Sequence, residues 1–452
     1  MSGVVDLEQA AARAVEAAVS AGASDAEAWA EEGVEREIRV YEGQVESLTD
    51  AASHGIGIRS FDGGRWGYAY GTDLSDDGLR SLAEAAAGAA AVADPDEHSG
   101  LPDEFGAADV GSLASPALSD WDTARKIELA LAIETAARSR DGISQVEETM
   151  YADAAGRIAI ANSRGFAAAY ESTIAYAWAS AFAGEGSDLM TGLGVGMGRD
   201  PGAIDAEAVG AEAAERALGL VGARQPEGRR CPVVLDTFVA ASFAGFIGGM
   251  LSADAVQRGR SLFADKEGEE VAGSEFVLVD DGLHPEGPST APFDGEGSPR
   301  RRTPLIENGR LLTFLFDART ARRGETETTG NAGRGSYRTP PSVSTTNLVL
   351  EAGDASLEEL VARAGDGLYV ATVSGLHSGV NPVSGTFSVG ATGRLIENGE
   401  LGRPVREITI ASDLVSMLKA VQAVGGPGRW VPFGGSVRSG PTLIAEMQVS
   451  GS

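Results

Sequence analysis

The chain has 452 residues, with 66 acidic against 36 basic side chains and a formal charge of -30. Its 43% hydrophobic and 23% charged content excludes global disorder, and its length allows two or three domains. So acidic a surface repels a polyanion, a single Cys excludes an intramolecular disulfide scaffold, and nucleic acid is not an expected partner.

The first residues carry acids and no basic-then-apolar pattern, so they do not read as a signal peptide. Leu7 to Ala21 places Leu7, Ala10, Ala11, Val15 and Ala18 on one helical face and stops at Gly22. Residues 26–31, 37–41 and 45–48 read as strands. Residues 54–59 and 65–70 form a hairpin around Asp62-Gly63-Gly64. Asp73 to Val92 is an Ala-rich helix with Ser75 or Asp76 as its N-cap. Residues 93–120, rich in Pro, Gly, Asp and Ser, read as a surface connection lying partly against the domain.

Asp122 to Arg138 is again a helix. Residues 145–152, 156–162 and 166–183 are strands, with Asn162 to Gly165 turning between the last two. The segment TGLGVGMGRD reads as a mobile hairpin or loop, because no Lys-Ser/Thr follows to make it a phosphate loop. Ile204 to Leu220 is a helix. Gly222 to Arg230 reads as the boundary between an N-terminal α+β domain, residues 1–222, and a β-rich C-terminal domain, residues 223–452.

Beyond the boundary come a short strand at 232–235 and an apolar helix at 237–251. That helix belongs to a stretch too short to span a bilayer, so a soluble, cytoplasmic protein is expected. Strands follow at 276–279, 302–307, 310–317, 344–350, 369–374, 385–395 and 400–405, which predicts a barrel-like sheet. Leu305 to Gly309 (LIENG) recurs at Leu395 to Gly399, and each Asn-Gly marks a tight hairpin. The fold class is therefore α+β.

Chemistry-bearing constellations are scarce. His54, His98, His284 and His377 are scattered, with no pair one helical turn apart to hold zinc. Asp280-Asp281 and Asp294 to Glu296 read as turn residues before ion ligands. Cys231 has no His near it in sequence, and no G-x-S-x-G elbow is present. The Gly-rich stretch 375–393 (GLHSGVNPVSGTFSVGATG) reads as a binding loop facing a cleft, with a tight barrel corner as the alternative.

Several ordered motifs then carry a resemblance: Ser252 to Ser261, Pro292 to Gly297, Arg301 to Thr303 with LIENG, Thr329 to Ala332, and Gly379 to Gly385 with Phe387-Ser388. Together they resemble the TldD/PmbA family of gyrase-toxin modulators and zinc proteases. The TldD-like branch carries H-E-x-x-x-H on the first helix of its C-terminal domain and a Cys in a later Gly-rich loop. Here the matching helix reads Ala244-Gly245-Phe246-Ile247-Gly248-Gly249, and the loop has Leu376-His377-Ser378-Gly379. The chain thus resembles the TldE (PmbA) branch.

That resemblance implies no metal or cofactor in this chain and zinc in a TldD-like partner. It implies a heterodimer acting on unfolded peptide, with pairing to itself as the alternative. His377, Ser378, Gly379, Asn381 and Ser384 are the expected substrate-binding residues, and no catalytic residue is expected. A metal-free peptide-binding homodimer and a diverged stand-alone hydrolase are the competing functions.

Overall fold

The structure is a computed structural model, and it describes residues 6–432 and 435–451. The chain begins with α1 (Leu7–Ser20), whose N-cap Asp6 accepts a hydrogen bond from the Gln9 N–H. Next come β1 (Asp25–Tyr41), β2 (Gln44–Asp62), β3 (Arg65–Gly71), α2 (Asp76–Val92) and α3 (Thr123–Arg138). Then follow β4 (Ile143–Asn162), β5 (Ala167–Ala183), β6 (Met190–Gly198) and α4 (Ala206–Leu218). The strands make one antiparallel six-stranded sheet in the order β3-β2-β1-β4-β5-β6.

All four helices lie on the face that carries the even-numbered residues of β1. Ala28, Ala30, Ile56 and Ile58 pack under α1 and α2, while Ile38, Val40, Ala177 and Ala179 pack under α3 and α4. Ser75 is the N-cap of α2, as its hydroxyl suggests. The strands are longer than the sequence pattern implies: β1, β2 and β4 each run unbroken through stretches that read as two strands. Gly33 faces Gly156 across β1 and β4, so the apparent breaks are small residues inside a ladder.

The segment read as a mobile hairpin or loop is the nine-residue strand β6, which pairs antiparallel with β5 as the second arm of a hairpin. Its glycines have a packing cause. A Cβ on Gly192 would lie 2.1 Å from the Ala213 carbonyl oxygen, and one on Gly194 would lie 2.0 Å from that of Val209. Helix α4 thus rests directly on the backbone of β6. Gly194→Val should cost about 1–3 kcal/mol through overpacking. Gly88→Ala, on an exposed helical position with nothing within 4 Å, should instead stabilise by about 0.5–1 kcal/mol. Urea unfolding of the two variants checks both signs.

The connection 93–120 lies against both halves of the molecule: Asp96 N–H bonds the Gly64 carbonyl, and Ala108 N–H bonds that of Pro292. After it and the first sheet, the chain enters β7 (Arg229–Leu235), α5 (Thr237–Met250), α6 (Ala253–Gln257), β8 (Leu278–Asp281), β9 (Arg302–Glu307) and β10 (Arg310–Leu311). It continues through α7 (Ala318–Arg323), β11 (Ala332–Gly333), β12 (Ser342–Val343), β13 (Asn347–Leu350), α8 (Leu357–Ala364) and β14 (Gly367–Ser374). It ends with α9 (Leu376–Gly379), β15 (Thr386–Glu397), β16 (Glu400–Asp413), α10 (Leu414–Lys419), β17 (Val421–Val424), β18 (Arg429–Val431), β19 (Ser436–Ser439) and β20 (Thr442–Ser450).

Strands β16-β15-β14-β7-β20 close into a barrel through the β16–β20 pairing. A second six-stranded sheet runs β10-β9-β8-β13-β19-β18. The fold is α+β with a barrel, as its strand pattern suggests. Both LIENG hairpins form, at β9–β10 and β15–β16, with Asn308 and Asn398 at φ 50° and 55°. The strand expected over 310–317 ends at Leu311, and Leu315 instead bonds back to Leu251 after α5. Among the described residues no helix is long and apolar enough to cross a membrane.

Candidate functional site

Helix α5 runs between the barrel and the second sheet. Asp236 caps it, accepting from the Phe238 N–H at 2.8 Å. Val239, Phe243, Ala244 and Ile247 join the largest hydrophobic core. A Cβ on Gly248 would come within 2.7 Å of Leu348 on β13, so the helix needs small residues to fit there. Its accessible stripe is Ser242, Gly245, Phe246 and Gly249, spaced three and four apart.

The N-terminal end of α5 opens into a cleft of about 930 Å3 between the two halves of the molecule. One wall is β6 and α4, including Thr191, Leu193 and Glu212. The other is Phe238, Ser242 and the Ala371–Val373 stretch of β14. Each wall offers a strand edge. β14 pairs with β7 only over Leu368 to Val370, and β6 is the last strand of its sheet.

A polar cluster crosses the floor of this cleft. The Arg216 guanidinium donates to Asp236 at 3.0 Å and to Glu212 at 3.2 Å, and it stacks 4.2 Å from the Phe238 ring centroid. Tyr369 O–H donates to the other Asp236 oxygen at 2.7 Å. Arg429 donates to Glu212 at 2.7 Å and to the Val195 carbonyl at 2.7 Å. Burial opposes the charge of Arg216, but Asp236 and Glu212 outweigh it and raise its pKa. Burial, then the Asp236 carboxylate, pushes the Tyr369 phenol well up, so it stays a donor. The cluster joins a helix of one half to a helix cap of the other and is fully engaged with itself.

The loop expected to bind substrate sits elsewhere around α5. Gly375, at φ 79°, starts the single turn α9, and Phe387 at the loop's end packs edge-on against Phe243 at 5.3 Å. His377, Ser378, Asn381 and Ser384 are exposed, and Gly379 is half-buried. Asn381 accepts from the N–H groups of Val383 and Ser384, and Ser384 Oγ shares a hydrogen bond with Thr386 Oγ1. Local turn chemistry therefore explains the Asn and Ser. The His377 ring makes no hydrogen bond or ion pair among the described residues. None of the five residues lines the cleft.

Sequence reasoning missed the seam that holds the halves together. Glu27 on β1 is fully buried and faces Arg59 on β2, which is 7% exposed. Arg59 Nη2 lies 2.8 Å from Glu296 Oε1 and 3.0 Å from Glu27 Oε2. Arg334 bonds Glu27 and also donates to Tyr68 at 3.1 Å. Asp294 ends its turn by accepting from the N–H groups of Glu296, Ser298 and Ala332, and Glu296 Oε2 accepts from Ala318 at the start of α7. Asp294-Gly295-Glu296 is a turn, as read, and it also carries the bridge between the halves. The alternation of β1 and β2 was the only sequence signal placing Glu27 opposite Arg59.

The family implied by the sequence motifs calls for zinc, so the donors near α5 decide whether this chain suits it. Ala244, Gly245 and Gly249 stand where the H-E-x-x-x-H residues would fall, and none offers a donor or a base. Ala244 is buried, and open space surrounds a Cβ built on Gly249. Cys231 is buried on β7, and burial pushes its thiol pKa up. Among the described residues no three His, Cys, Asp or Glu side chains gather to hold a metal. The residues of this chain therefore do not fit a zinc site on α5.

Sheet, barrel and intervening helix define the class first. Residues 26–90, 116–221 and 228–451 match domain 1, the central domain and the C-terminal domain of the PmbA/TldA metallopeptidases. The chain belongs to the PmbA/TldD family. It is 29% identical over 416 residues to the metalloprotease PmbA of Escherichia coli O157:H7, covering 90% of this chain and 88% of that one. It is 28% identical over 452 residues to the PmbA homolog of Haemophilus influenzae, covering 99% and 96%. A Thermotoga maritima crystal structure, described as that of a proposed modulator of a DNA gyrase, superposes with TM-score 0.88 at 26% identity, covering 98% of this chain and 100% of that one. The TldE structure of Thermococcus kodakarensis shares the fold at TM-score 0.89 and 22% identity, covering 97% and 99%.

Proposed function

We propose that this chain is the TldE-like, non-catalytic subunit of a cytoplasmic TldD/TldE-type metalloprotease that degrades unfolded or modified peptides. The observation that carries the reading is the accessible stripe of α5: Ser242, Gly245, Phe246 and Gly249 supply neither a zinc ligand nor a base. Zinc and the base then come from a TldD-like partner bearing H-E-x-x-x-H. This subunit contributes a wall of the chamber and a place for an extended peptide. Strand addition suits that role, because main-chain hydrogen bonds hold a peptide without reading its sequence. The cleft between β6 and β14 supports it, since both of its walls present unpaired strand edges.

The test is reconstitution with an H-E-x-x-x-H-bearing homologue from the same genome. The two chains are expected to co-elute, and the mixture to cleave an unstructured fluorescent peptide that neither chain cleaves alone. No co-elution, together with cleavage by the homologue alone at the rate of the mixture, would sink the reading.

A further inference from the structure

A second cavity, of about 280 Å3, lies on the seam and shares no residue with the β6–β14 cleft. Its walls come from β2 and β3, from Ser99 and Gly100 of the connection, and from α6, α7 and β12. Phe61, Trp66, Pro341 and Val343 give it an apolar side. Arg59 and Asp317 also line it, and each is 7% exposed. Arg59 makes its ion pairs through Nη2 alone, to Glu27 and Glu296. Its Nε is sealed off, which leaves Nη1 as the unpartnered donor on the cavity side. Asp317 Oδ1 accepts from the N–H and the hydroxyl of Thr320, at 2.7 and 2.6 Å, while Oδ2 has no partner among the described residues.

Buried polar groups normally find partners, because an unmade bond is costly. Here one open donor and one open acceptor line the same small space, within electrostatic reach of each other. Charge points the same way. Arg59 and Arg334 balance Glu27 and Glu296, so Asp317 is the surplus acid at the buried end. Burial, then the Glu296 charge, raises the Asp317 pKa, and a ligand cation beside it reverses that shift. At the mouth Arg258 pairs with Asp254 and Arg319 with Asp96. Arg323 is exposed there and has no partner among the described residues. A free arginine at the entrance draws anions toward a chain whose charge of -30 repels them elsewhere.

We propose that the seam cavity binds a free α-amino acid with an apolar side chain. The ammonium donates to Asp317 Oδ2, the carboxylate accepts from Arg59 Nη1, and the side chain lies along Phe61 and Trp66. An α-amino acid carries its two charges on one carbon, which suits two buried groups of opposite sign facing one space. A cavity of about 280 Å3 lies just below the ~300–1,000 Å3 of sites for drug-sized ligands, so it takes a single amino acid and no extended peptide. The bound molecule bridges β2 to α7, and thereby the two halves. The proposal does not rest on the metalloprotease reading, and its test uses this chain alone.

Isothermal titration calorimetry of the full chain with L-leucine and L-phenylalanine is the experiment. At least one of them is expected to bind with a Kd below about 1 mM. Its N-acetyl derivative lacks the ammonium and its amide lacks the carboxylate, so each should bind about tenfold or more weakly. Asp317→Asn keeps the acceptor for Thr320 and loses the charge. It should weaken the amino acid about tenfold while binding the N-acetyl derivative as the wild type does. Arg323→Glu alters an exposed side chain outside the buried network and should weaken the amino acid about threefold or more. It locates the site by itself if circular dichroism shows Asp317→Asn unfolded. No binding of either amino acid at about 10 mM overturns the proposal. So does wild-type affinity in a folded Asp317→Asn, or in Arg323→Glu where Asp317→Asn does not fold.

Discussion

Arg59→Met is expected to cost about 3–5 kcal/mol, because it leaves two buried carboxylates facing each other without their shared cation. Glu27 and Glu296 are 0% and 2% exposed, so water cannot replace the guanidinium. The same change removes the cation stacked 4.9 Å from the Phe61 ring centroid. Adding Glu296→Gln should return at least half of the loss, since one unpaired charge is gone and Arg334 still balances Glu27. Because Glu27 and Arg59 belong to the N-terminal sheet while Glu296 and Arg334 come from the later half, the loss falls on the seam. Denaturant unfolding should then split into two transitions, followed by Trp29 on the sheet and Trp430 on β18. A loss under about 1 kcal/mol with one shared transition would show that the seam does not couple the halves.

The elements that could be read from sequence are those whose cause is local. Ser75 and Asp62-Gly63-Gly64 announce a cap and a turn because the chemistry lies within a few residues. The two LIENG hairpins follow from Asn-Gly alone, and both form. β6 was legible only as a mobile hairpin or loop, for the opposite reason. Its glycines look like a loop, yet they are required by the backbone of α4, and only the packed structure brings Gly192 against Ala213. Strands β17 to β19 went unassigned because each has only three or four residues, and β20, though nine residues long, takes its main partner β7 from more than 200 positions back. The Glu27–Arg59–Glu296–Arg334 seam joins residues hundreds of positions apart, beyond any spacing rule.

The candidate site divides the same way. The absence of ligand side chains on α5 is a property of the residues themselves and was visible at once. The cleft was not, because its walls are an N-terminal strand edge and a barrel strand edge that meet only in three dimensions. The Gly-rich loop drew attention through composition. Its Asn381 and Ser384 turn out to serve the turn itself, and its contact with α5 runs through Phe387 rather than through His377.

Leu193→Pro is the substitution that separates a peptide-holding cleft from an inert crevice. On β6 the Val195 N–H and C=O both point away from β5, since Glu212 and Arg429 reach them from the open side. Residues two apart share that direction, so the backbone groups of Leu193 and Thr191 face the cleft. Proline at Leu193 deletes one of those donors and leaves the β5–β6 ladder bonded, a placement that edge strands tolerate. One main-chain hydrogen bond is worth about 0.5–1.5 kcal/mol net, and the ring also obstructs a second strand at close approach. The reconstituted complex should therefore bind an unstructured peptide about tenfold more weakly. Its unfolding midpoint and the association of its subunits should hold. Leu193→Ala keeps the N–H and should retain most of the affinity, which distinguishes main-chain pairing from side-chain contact. Equal peptide affinity in the proline variant and the wild type would remove the β6 edge from the binding surface and leave β14 to carry strand addition by itself.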